Sequence, residues 1–454
     1  MIGFLEQVSA FVWGPPLLIL IVGTGIYLTF RLGFVQILAL PTALLNAFSR
    51  KKQDKLSDGD ISQYQALTTQ MAATIGTGNI VGVATAVIAG GPGAVFWMWG
   101  MAIFGMATKY AEAVLAVKYR VKGQDGQMSG GPMYYLERGL KLKWLAVAFA
   151  IFGSIAAFGI GNMVQTNAVS AAAENSFNIP TWVTGIILAI VTALVILGGI
   201  KSIGRVTAFF VPIMAVFYII SGLIIMTLNF DIVPAAINLI LTDAFTASAV
   251  GGGILGTVIR YGVARGIFSN EAGLGSAPIA AAAAKTDYPG RQGLVSMTQV
   301  FIDTIIVCSI TGITIVMADL HQTGVAGGAL TGESFGVFLG TPGVLIVSIT
   351  TILFAYSTVI AWSYYGEKCL NYLFKSPKAI TTYRVVWVVA VFFGATTVID
   401  IVWLFSDIFN ALMAIPNLIG LLGLSGVVAY ETKRFLKVAK EEREQERAAK
   451  SKSA

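Results

Sequence analysis

The chain has one histidine, His321, and two cysteines, Cys308 and Cys369, in 454 residues. One histidine cannot build a His-rich metal site or a HExxH hydrolase, and any Ser-His-Asp triad would have to use it. The cysteines lie in or beside apolar stretches and form no CxxC pair, so neither a disulfide framework nor a zinc site is expected. No Gly-Lys-Ser or Gly-Lys-Thr occurs, which removes the phosphate-binding loop and ATP-driven transport. Charge is also scarce, at 12% of residues against about 25% in soluble chains. A formal net charge of +7 does not point to nucleic acid, because the basic residues fall into short clusters between apolar runs.

What the chain has instead is apolar residue, 56% of the whole, together with 50 glycines and a mean hydropathy of +0.78. Glycine is frequent where helices pack closely in lipid. A helix crossing about 30 Å of hydrocarbon needs about 20 apolar residues. Eleven such runs are expected, at 13–31, 64–90, 93–118, 143–172, 181–199, 203–229, 244–286, 293–319, 342–368, 380–396 and 401–430. The fold class is therefore an all-α integral membrane protein. The first run is not expected to be a cleaved signal peptide, since Glu6 and no basic region precede it. Residues 34–49 are too short to span, contain Pro41 and read as an interfacial helix.

Topology follows from the basic residues, which concentrate on the cytoplasmic side. With these spans, 27 of the 30 basic residues fall in alternate loops, at the span ends that adjoin those loops, and in the tail, and only Lys109, Arg260 and Arg265 lie deep inside spans. The opposite loops carry acids, among them Glu174, Asp231, Asp243, Asp319, Glu333 and Asp400. The N-terminus is expected outside and the C-terminus in the cytoplasm. The tail, 431–454, reads as a solvated charged helix or as disordered.

Two spans look broken. Span two reads TTQMAATIGTGNIVG, with Gly76, Gly78 and Gly82 around Thr77 and Asn79. Span seven reads ARGIFSNEAGLGSAP, where Ser269, Asn270, Glu271, Gly273, Gly275 and Pro278 interrupt an apolar run. Pro278 suits the first turn of a restarted helix, with Ser276 as a candidate cap. Glycine that merely permits close packing is the plainer reading of either break. Position argues against it. Spans two to six (64–229) and seven to eleven (244–430) are two sets of five, each opening with its broken helix, and an odd repeat inverts its second copy. The segment 1–63 adds one further span. Interrupted segments at matching places of two inverted halves mark a transporter's binding site. A restarted helix offers free N–H groups to a carboxylate, here those around Thr77 and Gly78. The half-helix that stops offers carbonyls to a hard cation, here those of Ala72 and Ile75, and Asn79 adds a side-chain oxygen. This describes a site for a small zwitterion beside a hard cation.

The segment GGPGAVFWMW (Gly90 to Trp99), with TIGTGNIVG before it and FSNEAGLGSAP after, resembles the alanine-or-glycine:cation symporters from about Thr68 to Tyr430. The resemblance implies the leucine-transporter-like 5+5 inverted repeat with one extra N-terminal helix. It also implies symport of L-alanine and glycine, with D-alanine as a further candidate, driven by Na⁺ or sometimes H⁺. By the same resemblance, Thr77 and Gly78 take the carboxylate, and Thr74 and Asn79 serve one cation site. Ala72, Ile75, Ala355 and Thr358, with Ser357 nearby, serve a second. Phe268 and Ser269 match an aromatic and a hydroxyl at the second break. A threonine within the GxGN pattern and Glu271 at the second break depart from it, which leaves the number of cation sites open.

Other buried polar residues carry two readings each. Gln165 can meet the substrate amine or make an interhelical hydrogen bond. Glu271 can bind the amine, pair with Arg265 or carry a proton. Asp303 can ligate the first cation or pair with Arg260. Glu112 and Lys109 read as a structural pair near the cytoplasmic face. Trp362, one turn beyond Thr358, can narrow the pocket or simply pack. Beyond Na⁺ no cofactor is expected, and beyond substrate and membrane lipids no partner. The rivals are a proton-coupled transporter or exchanger and, in another class, a channel. Channels usually repeat a filter around an axis.

Overall fold

The apolar runs set the helices. In the computed structural model the structure describes residues 2–48, 57–123, 126–246, 256–325, 327–397 and 400–453. Among them, eight helices are long and apolar enough to cross a bilayer, and two half-helices, Gln63–Thr74 and Thr77–Gly90, make a ninth crossing bent by 60°. Eleven spans were expected from composition. The fifth, Thr181–Ile196, is only 16 residues long. Among the described residues, the seventh is regular helix over Thr257–Asn270 and Pro278–Ala281; part of its expected start, 247–255, lies outside them. Span one is Pro15–Arg31, but a separate helix, Ile2–Val12, precedes it, so helix begins well before residue 13. The interfacial segment is helical over Val35–Leu38 and Leu40–Phe48.

Span two starts where its cap dictates. Ser62 Oγ accepts from the Gln65 amide and Gln65 Oε1 accepts from the Ser62 amide, a reciprocal capping box. The two halves of the span then take different partners. Gln63–Thr74 packs on spans six (Gly199–Leu228) and nine (Thr341–Phe374), whereas Val81–Gly90 packs on Thr257–Asn270 and on the helix Gly327–Leu339. Span three (Ala94–Lys118) lies against spans seven and eight, and span four (Lys143–Phe177) lies against nine and eleven (Asp400–Gly423). The breaks in spans two and seven therefore face one another across a shared interior.

Beyond its break, span seven is held by Arg120. This guanidinium donates to the Ala284 carbonyl at 2.7 Å, the Ala282 carbonyl at 3.1 Å and the Asp58 carbonyl at 2.8 Å. Burial lowers its pKa, partly offset by the charges of Asp58 and Asp60. The string Gly332-Glu333-Ser334-Phe335-Gly336 has the spacing of a hydrolase nucleophile elbow, which requires a strand-to-helix turn. Here it lies inside the helix Gly327–Leu339, and Ser334 Oγ donates to the Leu330 carbonyl at 2.7 Å.

The tail is a helix, Ser425–Ser453, and its first turns are docked rather than solvated. Lys118 Nζ lies 2.6 Å from the buried Glu431 carboxylate. Arg291 sits 5.3 Å over the buried Phe435 ring and 2.6 Å from Glu442.

Candidate functional site

The first half of span two ends at Thr74, a single 3₁₀ turn covers Thr77–Asn79, and helix resumes at Val81. Gly76 is required where the turn pinches. A Cβ there would lie 2.5 Å from Thr358 Oγ1 and 3.2 Å from Gln165 Oε1. The turn is tied at both ends. Asn79 Oδ1 accepts from the Gly76 amide at 2.9 Å, and Asn79 Nδ2 donates to Asp303 Oδ1 at 2.8 Å. The Thr77 amide points at Gln165 Oε1, 3.3 Å away, while Gln165 Nε2 donates to the Ile160 carbonyl at 3.0 Å. Gln165 thus already holds the amide that sequence analysis reserved for a carboxylate. Gly78 is buried against Phe268 and Ser269, where a Cβ would lie 3.1 Å from Ser269 Cα.

Two polar clusters flank this turn. In the first, Ser357 Oγ and Thr358 Oγ1 reach the Ala72 carbonyl at 3.2 and 3.0 Å. Ile75 is the buried residue that closes the half-helix, and Ala355 is buried in span nine just before the two hydroxyls. The second cluster centres on Asp303, which lies in a π-helical stretch, Phe301–Cys308, of span eight. Such stretches recur at functional sites. Asp303 Oδ2 accepts from Ser269 and from Thr304, each at 2.8 Å. Cys308 Sγ lies 3.2 Å from Ser269 Oγ and 3.3 Å from Asn79 Nδ2. Thr74 sits apart from both, accepting from Gln299 Nε2 at 2.9 Å and donating to the Gln70 carbonyl.

Glu271 closes the second break from a left-handed conformation, φ +57°. Its two oxygens take Trp362 Nε1 at 2.9 Å and Ser276 Oγ at 2.5 Å. Ser276 is therefore a partner of Glu271 rather than a helix cap: the cap position is Ala277, with no side-chain bond, and Pro278 starts the short helix as expected. Arg265 lies 5.8 Å over the Phe268 ring and Arg260 6.0 Å from the Tyr261 ring, so neither pairing weighed for Glu271 and Asp303 is the one found. Glu112 does pair with Lys109, at 3.9 Å. It also reaches the break: Glu112 Oε1 accepts from the amides of Gly273 and Gly275 at 3.1 and 3.2 Å and from Asn417 Nδ2 at 2.7 Å.

These parts enclose a small cavity. Thr74, Gly76, Gly78, Gln165 and Thr358 form its polar wall, and Phe268, Glu271, Leu274 and Trp362 much of the rest. It leaves about 10 Å³ for the centre of a water molecule, which is room for about one water. A wider vestibule of about 700 Å³ runs from Thr77 past Asn175 and Glu333 to Trp403. Trp403 stacks on Phe268, with ring centroids 6.1 Å apart and planes 18° from parallel. This aromatic pair stands between vestibule and cavity.

A family model described as the sodium:alanine symporter family matches residues 1–450. The chain belongs to that family. It is 58% identical over 449 residues to the sodium/alanine symporter AgcS of Methanococcus maripaludis, covering 97% of this chain and 98% of that one. It is 39% identical over 429 residues to the probable sodium/glutamine symporter GlnT of Bacillus subtilis, covering 94% and 89%. Among solved structures, MhsT in complex with L-phenylalanine superposes with a TM-score of 0.56 at 14% identity, over 83% of this chain and 98% of that one. The fold is accordingly the leucine-transporter-like one, in a multi-pass membrane transport protein that is not an enzyme.

Several residues around these breaks escaped the sequence reading. Thr304 donates to Asp303, Asn270 donates to Thr304, and Cys308 lies beside Ser269 of the same cluster. Ile160, Leu274 and Asn410 line the cavity. Leu274, in the GLGSAP string, sits on the break itself, and its place there was a usable signal. Asn410 and Trp403 lie in an apolar run where nothing local distinguishes them from packing.

Proposed function

We propose that this chain is a symporter that carries small neutral amino acids, alanine and glycine first, together with Na⁺ across the cell membrane, with the N-terminus outside and the C-terminus in the cytoplasm. The observation that carries the reading is the broken second span, whose Gly76 and Gly78 line a small cavity while its flanks meet two oxygen-rich clusters. In this reading Na⁺ binds among Ala72, Ile75, Ala355, Ser357 and Thr358, and a second ion binds at Asp303 and Ser269, with Asn79 holding the turn beside it. The carboxylate takes the Thr77 and Gly78 amides, displacing Gln165 Oε1, which turns to accept from the amine. Thr74 and Glu271 act from behind, the latter by holding Trp362 in place. Each ligand raises the affinity of the other by the same factor.

The small cavity supports small substrates, and D-alanine, with the same volume as L-alanine, is a further candidate. Trp362 sets the cavity's volume. Trp362→Ala is expected to lower the preference for alanine over leucine by about tenfold or more, given 1–3 kcal/mol for a few buried methylenes. Competition binding checks this, and unchanged selectivity would return Trp362 to a packing role.

The reading as a whole is tested by binding of glycine, L-alanine, D-alanine and leucine to purified protein at varied Na⁺ and constant ionic strength. Tightening by Na⁺ for the small amino acids alone is the expected result. Binding indifferent to Na⁺ but sensitive to pH would move the coupling to protons.

A further inference from the structure

Span eleven presents two asparagines seven residues apart, Asn410 and Asn417, two turns along one helical face. Both are wholly buried. Asn417 is fully engaged: Nδ2 reaches Glu112 Oε1 at 2.7 Å and the Gly273 carbonyl at 2.8 Å, and Oδ1 accepts from Tyr135. Asn410 differs. Neither its Oδ1 nor its Nδ2 has a hydrogen-bond partner, and it lines the cavity formed by Gly76, Gln165, Glu271 and Trp362.

A buried amide with neither partner is destabilising, because both its donor and its acceptor have lost water. Apolar side chains fill most of this helix, so leucine would fit the pattern better. An uncompensated polar group in a cavity wall is explained when a ligand supplies the missing partners. The ligand must offer a donor and an acceptor within reach of one side-chain amide. An amino-acid zwitterion does so, with its ammonium for Oδ1 and a carboxylate oxygen for Nδ2.

We infer that Asn410 is a substrate-contacting residue that recognises the paired ammonium and carboxylate of an α-amino acid, so that analogues lacking either group are rejected. This rests on the symport reading above and adds to it a residue from span eleven, the only helix of the cavity wall whose polar contribution is unpaired among the described residues.

Asn410→Leu tests it, because a structural and a ligand-binding asparagine predict opposite results. With saturating Na⁺, L-alanine affinity is expected to fall about 10–100-fold, the range for losing charge-assisted hydrogen bonds. The discrimination of alanine over propionate and ethylamine is expected to shrink with it. The melting temperature of the substrate-free protein is expected to equal or exceed the wild type, since an orphan amide has been replaced by an apolar group of similar shape. Asn410→Asp, which keeps an acceptor for the ammonium, should retain more alanine binding than Asn410→Leu. Wild-type affinity in Asn410→Leu overturns the inference and leaves the symport reading intact. A lower melting temperature in substrate-free Asn410→Leu overturns it too, by showing a structural role. Absence of Na⁺-dependent alanine binding in the wild type overturns both.

Discussion

Glu112→Ala is expected to destabilise the folded protein by about 3–5 kcal/mol, the usual consequence of removing one partner of a buried ion pair. Both Glu112 and Lys109 are wholly buried. Without the carboxylate, the Lys109 ammonium has lost its counter-charge, and the amides of Gly273 and Gly275 have lost their acceptor. Those amides belong to the unwound part of span seven, so the loss falls on the segment that shapes the site. A thermal melt of the purified protein measures the effect. The double variant Glu112→Gln with Lys109→Met separates the two contributions. Gln keeps an acceptor for the amides and Met removes the stranded charge, so the double variant should be clearly more stable than Glu112→Gln alone. If it is not, the ion pair contributes little and backbone capping is the whole role.

Asp303→Asn is expected to raise the Na⁺ concentration for half-maximal alanine binding by about 10–100-fold, from the 1.5–3 kcal/mol typical of interactions with a charged group. Asp303 is the acid that gathers Asn79, Ser269 and Thr304 around one carboxylate. The variant keeps the shape and removes the charge. Titration of Na⁺ at constant ionic strength reads it directly. A folded variant with an unaltered Na⁺ titration would remove Asp303 from the cation site and leave it as the fastener that holds Asn79 in the turn.

The elements legible in the sequence were those with a local cause. Gly76, Gly78, Gly273, Gly275 and Pro278 mark both breaks, because helix cannot run evenly through them. The pairing of Ala72 with Ser357 and Thr358 was also anticipated, though from resemblance and not from spacing, since 285 residues separate Ser357 from Ala72. What stayed hidden was direction. Asn79 was read as offering an oxygen to a cation, yet that oxygen accepts from Gly76 and its nitrogen faces Asp303. Gln165 was read as meeting the amine or making an interhelical hydrogen bond, and it holds the Thr77 amide of another helix. Ser276 was read as a cap and instead holds Glu271. An amide or hydroxyl carries several bonding capacities, and sequence position does not choose among them.

The sequence by itself determined a helical membrane protein, the positions of its two interruptions and the separation of basic from acidic loops, all of which follow from composition along a single line of chain. Only the tertiary structure decided which buried acids act where. It brought Glu112 from span three to the amides of span seven, set Asp303 against the turn of span two, and left Asn410 unpaired while satisfying Asn417 on the same helix. The physical reason is that a buried polar group must find its partner within about 3 Å, and in a bundle of long helices that partner comes from another helix.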